Sequence, residues 1–534
     1  MTEQNNISPE AKPSAPTEAK PSAANTSANN KRIAKNTIAL YIRMLFTMAV
    51  SLYTSRVILQ TLGVEDFGVY NVVGGVVSML SFFNSSMATS TQRFLNFEMG
   101  KGDSLALNKV FINAINSHLF IAIITAIALE SVGLWFLYNK LVIPKEQIDA
   151  ATLVFHCSVI SLFISIVNTP YRASIIANEK MGIFAYFSII EVMLNLLIVY
   201  ALVVIPYNKL ATYGALTMLS TIASSALNFQ YCIRHFKECR YVLSIDIGLI
   251  KKMLLFSGWM LFGCLSDMLS KQGVNVLLNL FFGPVFNAAR GIAIQVNTAV
   301  NSFVANFMTA VRPQIIKSYS AGDFSHMYRL VFSSSKMSFY LLFLITTPIL
   351  LYTEFILQLW LKQVPEYCVL FTRLVLIELL ISSAYVPIAQ INQASGKIRN
   401  YQLAISIIFL VSFVFTYILF KIGCPAYSTF LLSISLAIIG LFVRVLILKH
   451  DNSFPAKQYL LKIMLPLLPI ATISLIAPIL VMLQLKTSFA SFLLVTIIGF
   501  ISSITTIWLL GLDSAEKRMI TDRLTALRNK IRKK

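Results

Sequence analysis

Charge is scarce in this chain: 13% of its 534 residues are Asp, Glu, Lys or Arg, against 57% hydrophobic. That ratio excludes an ordinary soluble globule, in which about a quarter of residues are charged. Cysteine is sparse as well. The six copies, Cys157, Cys232, Cys239, Cys264, Cys368 and Cys424, are scattered, and four lie within or beside apolar runs, which excludes a disulfide framework. Cys232, His235 and Cys239 sit close together, yet no further ligand follows at a recognised metal-site spacing. No glycine-rich phosphate loop is found, so no nucleotide site is expected, and no nucleophile-base or metal pattern marks an enzyme. The opening stretch "MTEQNNISPEAKPSAPTEAKPSAANTSANN" lacks any apolar core. It is therefore not a cleavable signal peptide, and residues 1–36 are expected to be a disordered cytoplasmic tail.

What the chain has instead is apolar length. Crossing a hydrocarbon layer of roughly 30 Å takes about 20 apolar residues per helix. Fourteen such runs follow one another, at about 37–59, 68–92, 110–138, 148–171, 182–205, 210–231, 254–282, 284–311, 328–354, 367–390, 401–420, 425–448, 460–484 and 488–511. Lysine and arginine cluster in alternate loops. One set carries Lys101 and Lys109, Arg172 and Lys180, "RHFKECR" with Lys251 and Lys252, Arg312, Lys317 and Arg329, Lys397 and Arg399, and Lys449 and Lys457. The other set is nearly bare. Positively charged loops resist translocation, so the basic set and both termini are expected in the cytoplasm. The formal net charge of +21 is then mostly topology and gives no reason to expect nucleic acid as a partner. The closing segment 512–534 spaces Ile520, Leu524, Leu527 and Ile531 helically among basic residues, as a helix lying on anionic lipid would; a solvated tail that only fixes topology reads the same way.

The sequence also repeats. "GVEDFGVYNVVGGVVSMLSFFNSSMATSTQRFLNFEMGKGD" from Gly63 and "GPVFNAARGIAIQVNTAVNSFVANFMTAVRPQIIKSYSAGD" from Gly283 both run from a glycine to a closing Gly-Asp, 220 residues apart. "PYRASIIANEK" from Pro170 and "PIAQINQASGK" from Pro387 recur at an offset of 217. Six helices per repeat make the halves parallel, an arrangement that suits a transporter with a cavity between two bundles. The expected fold is all-α and polytopic: a six-helix bundle over 37–231, a cytoplasmic linker over 232–253, a second bundle over 254–448 and two additional membrane helices over 449–511.

Polar residues inside the runs are the candidate site. In the eighth run Asn287, Arg290, Asn297 and Asn301 fall within about 80° of each other at 100° per residue. The second run carries a comparable stripe of Asn71, Ser78, Ser81, Ser85 and Gln92, for which plain interhelical hydrogen bonding is an equal reading. Arginine stays charged and costs about 2.5 to 3.5 kcal/mol at a helix centre, so it should face protein or water. Arg43 and Arg56 sit in the first run, where snorkelling is the competing account, and they point about 140° apart. Lys271 has Asp267 four residues before it, so the pair can neutralise itself. Arg373 shares the tenth run with Glu378, and Glu130 and Glu191 have no cation within a turn of their own helices. Basic groups spread over both halves would attract an anion.

The opening "NTIALYIRMLFTMAVSLYTSRVILQTLGVEDFGVYNVVGGVVSMLSFF", "NTPYRASIIANEKMGIFAY" and the Gly-Asp loops resemble bacterial polysaccharide exporters. These are the Wzx-type O-antigen and lipid-linked oligosaccharide flippases of the multidrug/oligosaccharidyl-lipid/polysaccharide (MOP) exporter superfamily. The likeness covers the first twelve runs and is weak in the last two. It implies MATE-like V-shaped bundles in the bacterial cytoplasmic (inner) membrane, moving an undecaprenyl-diphosphate-linked oligosaccharide to the periplasmic leaflet during O-antigen, lipopolysaccharide or capsule synthesis. It implies no nucleotide site, and no resident cofactor is expected; coupling to a proton or sodium gradient would fall to ionisable groups in the membrane, for which Asp267, Glu191 and Glu378 are the candidates. Membrane lipids and other polysaccharide-assembly proteins are the expected partners. Arg43 and Arg290 match places where the family puts cavity arginines; Arg56, Lys271 and Arg373 match less closely. The rivals are a drug exporter of the same superfamily, which would want acidic groups, and a membrane-embedded polymerase or ligase, which would want a sizeable outer loop.

Overall fold

The computed structural model describes residues 23–78, 80–139, 143–205, 207–242, 244–361, 364–514, 516–518 and 521, without the side chains of 23–31, of Pro284 and of scattered positions between 52 and 82. Every long element is a helix, as it must be in a bilayer, where each backbone N–H and C=O needs a partner within its own segment. The first six are α1 (Ala23–Ser78), α2 (Ser81–Lys101), α3 (Ser104–Asn139), α4 (Ile148–Ala177), α5 (Met181–Val204) and α6 (Lys209–His235). Then come α7 (Ile247–Phe282), α8 (Pro284–Ser320), α9 (Phe324–Leu351), the short α10 (Thr353–Leu361), α11 (Cys368–Ser395), α12 (Arg399–Lys421), α13 (Ser428–Asn452), α14 (Ala456–Gln484) and α15 (Phe489–Gly511). The apolar runs of the sequence map onto these elements in order, except the second, 68–92, which is divided between the end of α1, where it continues the helix of the first run past a kink at Gly63, and α2. Twelve stretches are long and apolar enough to cross a membrane. Neither α8 nor α2, which carries Ser81, Ser85 and Gln92 of the second stripe, is among them, because their polar residues dilute the hydropathy.

The backbone carries the repeat. Gly63 and Gly283 open the two forty-residue motifs at φ 80 and 87, and Gly102 and Gly322 close them at φ 77 and 76. Such left-handed positions favour glycine, which has no Cβ to clash with its own carbonyl. The aspartate after each closing glycine caps the next helix: Asp103 accepts from the Leu105 and Ala106 amides at 3.0 Å, and Asp323 accepts from the His326 amide at 3.0 Å. The second pair of motifs repeats in the same way. Gly396 has φ 78, and its counterpart 217 residues earlier is Glu179, at φ 58.

The chain divides into two compact units, one formed by Arg32–Cys264 with Ile316–Gly322, the other by Leu265–Ile315 and Asp323–Lys534 together with Met1–Lys31. In the first, α4 packs against α2, α3 and α6 around Val73, Val154, Phe155 and Leu210, all fully buried. In the second, α9, α11 and α13 form the main stack, and α14 and α15 close over Phe339, Leu342, Phe343 and Leu376 with Ile470 and Ile507. Outward from these cores the surface is apolar. Leu468, Leu480 and Leu483 of α14 and Ile497, Ile501 and Ile504 of α15 are all exposed, a face that water would not tolerate and hydrocarbon would. The molecule is a multi-pass membrane protein.

The N-terminal segment also differs from the sequence reading. The helix begins at Ala23, so residues 23–36 are helical where disordered tail was expected. The cause is a distant carboxylate. Glu179, whose side chain is 1% exposed, binds Arg32 at 2.7 Å and Lys317 at 2.8 Å, and its carbonyl accepts from the Asn36 amide at 3.1 Å. Lys317 also donates to the Ala177 carbonyl at 2.6 Å. These contacts hold the start of α1 and the last turns of α8 to the end of α4, while a Cβ on Gly100 would fall 2.9 Å from Lys317 Cα. Of the amphipathic segment expected over 512–534, only residues 512–514, 516–518 and 521 are among those described.

Candidate functional site

The second unit holds a cleft of about 420 Å³ lined by Lys271, Gln272, Asn275, Asn287, Arg290, Gly291 and Ile294. It forms where α7 ends and α8 begins, because the left-handed turn at Gly283 folds the last turns of one back along the first turns of the other. Arg290 is 7% exposed and donates to Asn275 Oδ1. Lys271 is paired with Asp267 at 2.7 Å, and Glu378 of α11 lies within electrostatic reach of Lys271, Asp267 and Arg290. Asn287 has a buried carbonyl oxygen with no partner among the described residues. Two cations, two carboxylates and three neutral amides thus meet here. Chemically, the cations and amides can offer donors to an anion or to hydroxyl groups, and the acids close by can take up a cation or a proton.

The structure therefore brings together Lys271, Arg290, Asn287, Asp267 and Glu378. It leaves others apart. Arg373 is exposed and donates through Nε to Thr353 Oγ1 at 3.2 Å, and neither Asn297, half-buried, nor Asn301, exposed, lines the cleft. The Arg56 side chain lies outside the described residues, as do those of Asn71, Ser78 and Ser81; of that stripe Ser85 is exposed and Gln92 is buried. Asn275 and Gln272 were missed by the sequence reading, although Asp267, Lys271 and Asn275 fall four residues apart on one face.

In the first unit Arg43 is half-buried and its guanidinium sits 4.9 Å from the centroid of the Phe184 ring. Arg43 also donates to Ser188 Oγ at 3.5 Å and lies within electrostatic reach of Arg172 and Glu191. Phe184, Ser188 and Glu191 share one face of α5 by helical spacing. Asn195, one turn beyond Glu191, accepts through Oδ1 from Ser220 at 3.1 Å. Glu130 has a partner that no reading of its own helix could supply. It sits in a π-helical turn, Leu129–Gly133, and meets His156 of α4 at 2.9 Å.

No protein-family model and no characterised protein sequence matches the chain. Its fold does match solved structures. A mutant MATE superposes with a TM-score of 0.68 at 13% identity, over 79% of this chain and 97% of that one. An outward-facing multidrug resistance MATE family transporter of the MOP superfamily gives 0.68 at 14%, over 79% and 96%. A MOP superfamily transporter from Pyrococcus furiosus, described as having a binding pocket of reversed polarity, gives 0.65 at 14%, over 79% and 96%. The fold is that of the MATE transporters.

Proposed function

We propose that this protein is a flippase that carries an undecaprenyl-diphosphate-linked oligosaccharide from the cytoplasmic to the outer leaflet of the bacterial inner membrane by alternating access. It would serve O-antigen, capsule or similar polysaccharide synthesis, alongside the other assembly proteins. The observation that carries this is the Arg290 cleft. A guanidinium offers planar, bidentate, permanent charge suited to phosphate, and the amides of Asn275, Asn287 and Gln272 suit sugar hydroxyls. The MATE-like fold supports transport over a polymerase or ligase activity. One solved neighbour is itself described as having reversed pocket polarity and a different function, so the fold accommodates more than one cargo. A multidrug exporter is the second reading, favoured by Asp267 and Glu378 beside the cations of that cleft, which could hold an organic cation.

Vesicles containing the purified protein decide between them. Labelled undecaprenyl-diphosphate oligosaccharide should change leaflet under a proton or sodium gradient, and an organic cation dye should not be extruded. Coupling requires a group whose occupancy differs between two states, and Asp267, Glu191 and Glu378 are the groups proposed. Gln at all three should abolish gradient dependence; unchanged dependence removes them from coupling. Orientation has its own test. A cysteine at Asn208 should react with an impermeant thiol reagent added to sealed cells and one at Ser395 should not, whereas labelling at Ser395 would reverse the topology.

A further inference from the structure

A second arginine stands beside Arg43. Arg172, in "PYRAS" near the end of α4, has its guanidinium 5.6 Å from the centroid of the Phe184 ring, the ring that Arg43 approaches at 4.9 Å. The two cations are thus no farther apart than the sum of those distances. Arg172 acts on Arg43 as a like charge, with Glu191 as the opposing charge on Arg43. Arg172 itself makes no hydrogen bond or ion pair with another described residue; its neighbour is the ring. Both side chains are half-buried.

Two guanidiniums drawn to one ring repel each other. Cation–π attraction of about 0.5–2 kcal/mol each orients them without removing charge. Such a pair is poised for a ligand bearing two adjacent negative groups, since each phosphate of a diphosphate can accept a forked pair of N–H donors from one guanidinium. Fixing the pair on Phe184 before the ligand arrives lowers the ordering entropy that binding must overcome.

We propose that Arg43 and Arg172, held by Phe184, form a paired seat for the two phosphate groups of a diphosphate ester, with Arg172 a binding residue in its own right. Arg172 then does more than hold a loop on the positive side of the membrane. The loop charges place both side chains at the cytoplasmic half of the bundle, so the seat would receive the headgroup before transfer. This assignment rests on the flippase reading for the identity of the cargo, and its test reads binding alone.

The full chain in nanodiscs of zwitterionic lipid is titrated with geranyl diphosphate and with geranyl monophosphate. Wild type should prefer the diphosphate. Arg172→Ala should weaken diphosphate binding about tenfold and erase most of that preference, with Arg172→Lys between the two. Because the arginines act on one ligand, Arg43→Ala with Arg172→Ala should lose less than the two single losses multiplied. Phe184→Leu, which keeps both charges, should also weaken the diphosphate. Unchanged diphosphate affinity in folded Arg172→Ala and Phe184→Leu proteins overturns the seat. So does an equal loss for the monophosphate, or full competition by nanodiscs containing phosphatidylglycerol, since either makes the pair a general anchor for phospholipid. If the diphosphate preference depends on Arg172 but the vesicles move no oligosaccharide lipid, the seat stands and the flippase reading fails.

Discussion

Replacing Arg290 by alanine should reduce polysaccharide export about a hundredfold, the loss expected for two charge-assisted hydrogen bonds, while membrane abundance stays near wild type. Arg290→Lys should recover only part, because an ammonium supplies charge without the planar fork. The competing account makes Arg290 the counter-ion of Glu378, since the two lie within electrostatic reach. On that account Arg290→Ala strands a carboxylate in the bundle, and abundance falls along with export. The double variant Arg290→Ala, Glu378→Gln, read beside Glu378→Gln alone, separates the two: restored abundance with export well below that of the Glu378→Gln single variant leaves Arg290 as a ligand. Normal export from a stable Arg290→Ala protein would remove this cleft from the transport path.

Glu179 should be the most damaging position to change for stability. Glu179→Gln removes the carboxylate that Arg32 and Lys317 share, but the two are 50% and 23% exposed and water screens them, so we expect a loss of about 2 kcal/mol, not the 3–5 of a fully buried pair. Glu179→Gly separates charge from backbone. Glycine relieves the left-handed conformation by roughly 1 kcal/mol, so it should be the milder variant yet still less stable than wild type. Thermal unfolding followed in detergent reads both. A Glu179→Gly protein more stable than wild type would show that the residue serves only the turn.

Much of this molecule was legible in advance. Most apolar runs became helices of their own, since a bilayer leaves the backbone no other choice, but the second was divided between α1 and α2. The Gly-Asp motifs marked real left-handed turns and helix caps, because that chemistry is local. What escaped the sequence was contact between distant segments. Arg32 and Asn36 lie in a polar stretch that looks unstructured until Glu179, 143 residues beyond Asn36, is placed against it. Glu130 looked unpaired because His156 belongs to another helix. Arg172 read as a loop charge, although it occupies the last turns of α4. Conversely, Asn297 and Asn301 satisfied a helical stripe and yet do not line the cleft, since angular spacing says which residues share a face and not what that face meets.

The last turns of α8 fold with a unit whose other residues were synthesised long before them. Glu179 leaves the ribosome 138 residues ahead of Lys317, an interval of about 7 to 28 seconds at usual elongation rates. For that time the carboxylate has only Arg32 of its two cations, and Gly100 faces an empty place where the α8 backbone will lie. The first unit is therefore inserted before it is complete. A chain arrested between α7 and α8 would present the quality-control proteases of the membrane with a bundle that has most of its apolar core but lacks the buried Ile316 and the Lys317 partner of Glu179.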